Sequence, residues 1–230
     1  MVLVCGEDDR VPRIAMVVST VGFHWEEVFS AYEEFKRAGW EIEFYTVNGK
    51  QPKPDPLSLK FTGPLSWFGF GIGRSIGPET PSGRDVQQML RFVRPLRELK
   101  TDATDALYLP GGHGCLFDMN RHPDLHQVID GLYRSGKLLS GVCHATSTFA
   151  FVQQQGHSIV EGKRMTGFPD ALDQVLARIG GVDRSFLPLP FSNDAALREA
   201  GARIAWFNRL AAVLFPLYHR IDRPFVTGMG

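Results

Sequence analysis

Three cysteines, Cys5, Cys115 and Cys143, stand in this chain of 230 residues, and one of them has the neighbours that a reactive thiol needs. Lys137-Leu-Leu-Ser-Gly-Val-Cys143 reads as a strand that ends on the cysteine, and the small, apolar run from Ala145 to Val152 suits a helix. Strand, Gly141-Val142-Cys143-His144, then helix is the layout of a nucleophile elbow, where a sharp turn lifts a side chain clear of a sheet. The peptide dipoles at the start of the helix favour a thiolate, and N–H groups of the turn can bind an oxyanion developing on a substrate. Gly141 and Ala145 add little bulk, so strand and helix can approach closely, and a cysteine held at an unusual backbone angle there would store strain. The competing reading is a small buried hydrophobe at a strand end. Company favours the reactive reading: His144 follows directly, a Pro110-Gly111-Gly112 turn closes an earlier strand, and carboxylates open the first helix. Cys5 and Cys115 have no such company.

The elements that must position these residues follow an α/β rhythm. Arg13-Ile-Ala-Met-Val-Val-Ser19 is a continuous apolar run of the kind a strand buried on both faces shows, and it reads as the first, central strand. From Glu26 to Ala38, Val28, Phe29, Tyr32, Phe35 and Ala38 recur at helical spacing, and Gly39 stops the helix. Trp40 to Val47 alternates as a second strand, which completes a βαβ unit and so implies a parallel sheet under helices. Asn48 to Ser82 breaks the rhythm with six prolines, many glycines and the aromatics Trp67, Phe68 and Phe70, and reads as an insertion. A helical pattern resumes over Asp85 to Leu99. Ala106-Leu-Tyr-Leu-Pro-Gly-Gly112 is a strand running into a glycine turn, and Pro123 to Ser135 is a helix with proline in its first turn. Open parallel sheets bind ligands outside the carboxyl ends of their strands, which is where Cys143 falls.

Composition removes other classes. A chain of this length buries roughly 70% of its unfolded surface and needs no disulfides or structural metal. Twenty-five Lys and Arg against 25 Asp and Glu give zero formal charge, which argues against a nucleic-acid binder or a polybasic membrane contact. Three cysteines are too few for a disulfide framework and suit a reducing compartment, so a cytoplasmic location is expected. The start carries no signal-peptide pattern, and the longest apolar stretch, Leu210 to Tyr218, falls far short of the ~20 residues that span a bilayer. No spacing of His, Cys and carboxylates suggests zinc and no glycine-rich loop has the form of a nucleotide cradle, so no metal or cofactor is expected.

Leu109-Pro-Gly-Gly-His-Gly114, Gly141-Val-Cys-His144, Gly22-Phe-His-Trp-Glu-Glu27 and Glu161-Gly-Lys-Arg-Met-Thr-Gly-Phe168 together resemble the motifs of the DJ-1/PfpI superfamily. More narrowly, the chain is similar to its Hsp31-like branch, whose members are glutathione-independent glyoxalases (glyoxalase III, D-lactate dehydratase) and stress chaperones. The resemblance runs from about Ile14 to Gly228. It implies a single α/β domain over 1–230, with a flavodoxin-like, mainly parallel sheet sandwiched by helices and a Pro/Gly-rich cap insertion at about 48–100. The implied substrate is a small aldehyde such as methylglyoxal, and relatives suggest a homodimer.

Carried over by motif, Cys143 matches the nucleophile, His144 its neighbouring histidine, and Glu27 the carboxylate facing the thiol. Gly112 and the backbone of His144 match the oxyanion positions, and His24 and His113 are expected to line the same pocket, with plain surface residues as the alternative. An acidic residue beyond Thr166-Gly167-Phe168 completes the triad, with Asp173 the match by spacing and Asp170 the fallback. Each has a bland alternative: Glu27 complementing a helix dipole, His144 capping a carbonyl, Asp173 a solvated helix residue. Two features depart from the family pattern. Ala145 stands where glycine is usual, and the chain stops at Val226-Thr-Gly-Met-Gly230, where relatives continue through an Asn-Pro turn into a last helix. Trp206 to Arg223 is expected to cover part of that face or to form a partner surface. Two other functions share these residues. One is a holdase chaperone or redox sensor with Trp67, Phe68 and Phe70 as client surface; the other is hydrolase or amidotransferase-like chemistry at the same cysteine.

Overall fold

The computed structural model describes residues 10–59, 77–204 and 218–229. Trp67, Phe68, Phe70, Cys5 and most of the Trp206–Arg223 stretch lie outside the described residues. In chain order the elements are β1 (Arg13–Val17), α1 (Trp25–Arg37), β2 (Glu41–Thr46), α2 (Pro81–Arg91), β3 (Arg94–Pro95), β4 (Ala106–Leu109), α3 (Cys115–Asp118), α4 (Pro123–Arg134) and β5 (Leu138–Val142). A tight 3₁₀ run, Cys143–Phe151, follows β5. Then come β6 (Gln153–Gln154), β7 (His157–Ser158), β8 (Arg164–Met165), α5 (Asp170–Ile179), α6 (Asn193–Glu199), β9 (Arg203–Ile204), β10 (His219–Asp222) and β11 (Phe225–Gly228).

The main sheet has seven strands in the order β10-β11-β5-β4-β1-β2-β3. All neighbours run parallel except β10 against β11. Alternate residues of a strand point to opposite faces, so an interior strand covered by helices on both sides must be apolar throughout. β1 shows this: Ala15 and Val17 join the core that holds Leu125, Ile129 and Leu132 of α4, while Ile14 and Met16 join the core that holds Val28, Phe29 and Tyr32 of α1. Fully burying a side chain of that size contributes roughly 1.5–3 kcal/mol, so these two layers supply the driving force of the fold. The mainly parallel, helix-sandwiched α/β arrangement agrees with the flavodoxin-like expectation.

Two local expectations are corrected. The helix expected over Asp85–Leu99 lies over Pro81–Arg91, with Thr80 accepting a hydrogen bond from Gly83 N–H and Pro81 in the first turn. Its place after Phe92 is taken by the edge strand β3, because Pro95 cannot donate to a helix and forces Arg94 to be extended. Part of the expected insertion at about 48–100 therefore returns to the core, where Val86, Leu90, Leu96 and Leu99 are buried. The helix expected over Ala145–Val152 is the 3₁₀ run, buried from Cys143 to Ala150.

Candidate active site

β5, β4 and β1 are neighbours in the sheet, and the segments that leave their carboxyl ends carry Cys143 and His144, Gly111 to His113, and His24 with Glu27 of α1, while Asp173 comes from α5. Cys143 takes the first position after β5 with φ +55°, a left-handed conformation that a non-glycine residue adopts only under constraint. The constraint is visible around its carbonyl, which accepts from Thr146 Oγ1 at 2.8 Å and from Phe168 N–H at 3.3 Å. Asn120, fully buried, donates through Nδ2 to the His144 carbonyl at 3.0 Å and to Ser147 Oγ at 2.6 Å. The elbow is thus held from β8's exit on one side and from the end of α3 on the other.

Within it, Cys143 Sγ lies 3.2 Å from His144 Nδ1, and His144 Nε2 lies 2.8 Å from Oδ2 of Asp173 in the first turn of α5. All three residues are buried. The ionised carboxylate of Asp173 requires a proton on Nε2 of His144, which leaves the Nδ1 lone pair facing the thiol. The imidazole is packed between the rings of His113 and Phe168, with centroids at 4.7 and 4.8 Å. Asp170, one turn earlier, is occupied elsewhere: its carboxylate accepts from Ser192 Oγ and from Asp194 N–H at 3.0 Å, at the start of α6. The geometry therefore places Asp173 and not Asp170 beside His144.

Glu27, in the first turn of α1, reaches the other side of the sulfur, where its Oε2 accepts from Gly111 N–H at 2.5 Å. The N-terminus of α1 is held by Ser58, whose hydroxyl accepts from Trp25 N–H at 3.2 Å, and by His24 N–H donating to the Gly111 carbonyl at 2.8 Å. A β-carbon on Gly111 would sit 2.5 Å from Cys143 Cβ and 2.9 Å from Glu27 Oε2. Gly112 has φ +109°, and a β-carbon there would meet the Gly22 carbonyl at 2.4 Å. The Pro-Gly-Gly turn thus lets backbone approach the thiol and carboxyl closer than any side chain allows.

The charges are set by these contacts. Burial pushes the Glu27 carboxyl up to about 7, against the pull of the Gly111 N–H. Burial likewise pushes the Cys143 thiol above its usual value, and the Glu27 charge adds to this, while the N–H groups of Gly112 and His144 favour the anion. For Asp173 burial raises and the neighbouring His144 and His113 lower, leaving it at about 2. The resting site accordingly holds a neutral thiol beside a base, with stabilising N–H groups aimed at the charge that forms when the proton leaves.

His113 and His24 fall at the same site. His113 Nδ1 lies 2.9 Å from Asp55 Oδ2 and its Nε2 3.6 Å from Asp173 Oδ1. His24 Nδ1 faces Glu27 Oε1 at 3.9 Å, and burial pushes its imidazole down against the Asp55 charge. Ligand-type atoms of His113, His144 and Asp173 lie within 4.8 Å of one another. Nε2 of His144 and Oδ2 of Asp173 are already engaged with each other at 2.8 Å, while His113 Nε2 stands 3.6 Å from Asp173 Oδ1. Three participants were missed from sequence: Gly111, Asn120 and Asp55. The Pro110-Gly-Gly turn signalled the first, Asp55 opens the Asp55-Pro-Leu-Ser58 run that is similar to the Hsp31-like branch's lead into its cap but points to no role for the carboxylate, and nothing local signalled Asn120.

A cysteine on a strained elbow at the carboxyl ends of a parallel sheet, flanked by a His–Asp pair and a carboxyl, defines an α/β protein with a thiol-centred site. The profile of the DJ-1/PfpI family matches residues 12–187, and the chain belongs to that family. Similar curated proteins include the glutathione-independent glyoxalase HSP31 of Saccharomyces cerevisiae, 25% identical over 159 residues that cover 68% of this chain and 62% of that protein. The glutathione-independent glyoxalase hsp3101 of Schizosaccharomyces pombe is 25% identical over 188 residues, covering 79% and 71%. The chain thus spans less than two thirds of the budding-yeast protein's length. Among solved structures, glyoxalase III of Candida albicans superimposes with a TM-score of 0.73 at 20% identity, covering 95% of this chain and 91% of that one. Rapid Encystment Protein 24 kDa of Francisella tularensis gives 0.75 at 18%, covering 96% and 92%. These likenesses show the fold. Among the described residues no helix is long and apolar enough to cross a membrane.

Proposed function

We propose that this protein is a glutathione-independent glyoxalase that converts methylglyoxal or a similar 2-oxoaldehyde to the 2-hydroxy acid through Cys143. The observation that carries this reading is the line Cys143 Sγ, His144, Asp173 with the Glu27 carboxyl facing it; its relatives carry glyoxalase names. His144 Nδ1 takes the thiol proton as sulfur bonds to the aldehyde carbon, and the proton passes to the aldehyde oxygen to give a hemithioacetal. A base then removes the hydrogen on that carbon while the adjacent ketone oxygen is protonated, giving an enediol. Glu27 suits this step because its value of about 7 populates both protonation states near neutrality; His144 is the alternative base. Reprotonation at the second carbon and loss of the hydroxyl proton at the first give a thioester, so the first carbon is oxidised and the second reduced within one molecule. Water cleaves the thioester to the 2-hydroxy acid and regenerates the thiol. The N–H groups of Gly112 and His144 would hold the oxyanions of the first and last steps.

The test is methylglyoxal consumption without glutathione, with lactate quantified, in wild type and Cys143→Ala. Turnover in the wild type and none in the variant is expected. Lactate formation that persists in Cys143→Ala overturns the reading.

A further inference from the structure

Asp55 belongs to the segment between β2 and α2, is 2% exposed, and has no contact with the cysteine in any bond described above. Its place is fixed: Oδ1 accepts from Leu57 N–H at 2.9 Å, and its own N–H donates to the Phe23 carbonyl at 2.8 Å. Ser58, which holds the start of α1, donates its hydroxyl to the Asp55 carbonyl at 2.7 Å. From this mount Oδ2 meets His113 Nδ1 at 2.9 Å. The far edge of the same imidazole, Nε2, faces Asp173 Oδ1 at 3.6 Å, and among the described residues neither of those two buried atoms has a hydrogen-bond partner. His113 also lies against the His144 ring at 4.7 Å and against Phe186 at 5.9 Å. A single line therefore joins Asp55, His113, Asp173, His144 and Cys143.

Resting on the glyoxalase reading, we propose that Asp55 is a positioning residue of the site: it fixes His113 as the second cation-side partner of Asp173, so that the proton lifted from Cys143 stays on His144 until the substrate takes it. A carboxylate held by one imidazole donor at 2.8 Å and faced by a second imidazole at 3.6 Å is a weak base and remains ionised. The groups facing His113 are Asp55, Asp173 of α5, Glu27 of α1, His144 and His24. Burial would lower its imidazole, but Asp173 and Asp55 together raise it to about 9, so it is charged at neutral pH. Above that pH Asp173 loses one of its two partners and becomes more basic.

Asp55→Asn keeps Oδ1 as the acceptor for Leu57 N–H, puts a neutral NH₂ in place of the Oδ2 that meets His113, and removes the charge. In the full chain, ¹⁵N-imidazole NMR should place the His113 titration near 9 in the wild type and at least one pH unit lower in Asp55→Asn. The alkaline limb of kcat/KM for methylglyoxal should move down with it, a displacement that a merely structural role would not give. A wild-type His113 that titrates near 6.5, or a limb that stays in place while His113 moves, overturns the proposal. If the wild type turns over no methylglyoxal, the glyoxalase reading fails separately, and Cys143 alkylation by iodoacetamide against pH replaces the assay. A step in that profile that follows His113 supports the role of Asp55, and a profile unchanged by Asp55→Asn refutes it. Should Asp55→Asn lose its far-UV circular dichroism, Asp55→Ser, which retains the turn acceptor, carries the same comparison.

Discussion

Glu27→Gln should make the protein more stable above neutrality while lowering its activity. Burial raises the carboxyl from 4.5 to about 7. Between those pH values the folded chain keeps a proton that the unfolded chain has released, so wild-type stability falls as pH rises through this window and levels off above it. At about 1.4 kcal/mol per tenfold change in proton affinity, the accumulated penalty is roughly 3 kcal/mol by pH 8. Glutamine has the same shape, can still accept from Gly111 N–H, and titrates nowhere in this range, so its stability curve lacks that slope. Urea unfolding of both proteins from pH 4.5 to 8.5 under reducing conditions checks this. The difference in unfolding free energy should grow in favour of the glutamine variant by about 3 kcal/mol across the window. Its pH dependence is the diagnostic part, because a constant offset from the new NH₂ group leaves the slope unaffected. Parallel curves for the two proteins would refute the claim that burial, and not a compensating partner, sets the Glu27 equilibrium. The same variant should lose most methylglyoxal turnover, since no carboxylate remains to move the proton.

Other substitutions test single contacts. Asp173→Asn replaces the carboxylate that orients His144 and stabilises its charge with a neutral amide, and kcat should fall by roughly 10²–10⁴-fold with a smaller change in KM, read by steady-state assay. Gly111→Ala sets a methyl 2.5 Å from Cys143 Cβ, so urea unfolding should show a loss of about 1–3 kcal/mol and the rate of Cys143 alkylation should fall. Cys143→Gly relieves the left-handed strain at φ +55°, and its thermal midpoint should exceed that of Cys143→Ala, the difference corresponding to about 1 kcal/mol. The opposite order would show that the elbow is not strained.

How much of this was legible in sequence depends on how far apart the partners lie. The elbow was readable because its causes are local: an apolar strand, small residues at the turn, and His144 adjacent to Cys143. Asp173 was reachable by motif spacing, and geometry separates it from Asp170, since the two carboxylates lie three residues apart on α5 and one of them holds the start of α6. The Asp85–Leu99 helix failed for a local reason as well. Val86, Leu90, Val93 and Leu96 keep helical spacing past the true end of α2, and the veto came from Pro95, whose effect on Arg94 outweighs periodicity. The Asp55–His113 pair was illegible for a different reason. It joins residues 58 apart in sequence, and Asp55 lies in a proline-rich stretch that interrupts every periodic signal. Such a stretch reads as an insertion when judged by pattern, yet its prolines keep it extended alongside Phe23, where backbone hydrogen bonds tie it to the loop that leads into α1 and so to Glu27. The segment least interpretable from sequence therefore supplies a buried carboxylate at the site, because its fixed path, and not its periodicity, decides what it touches.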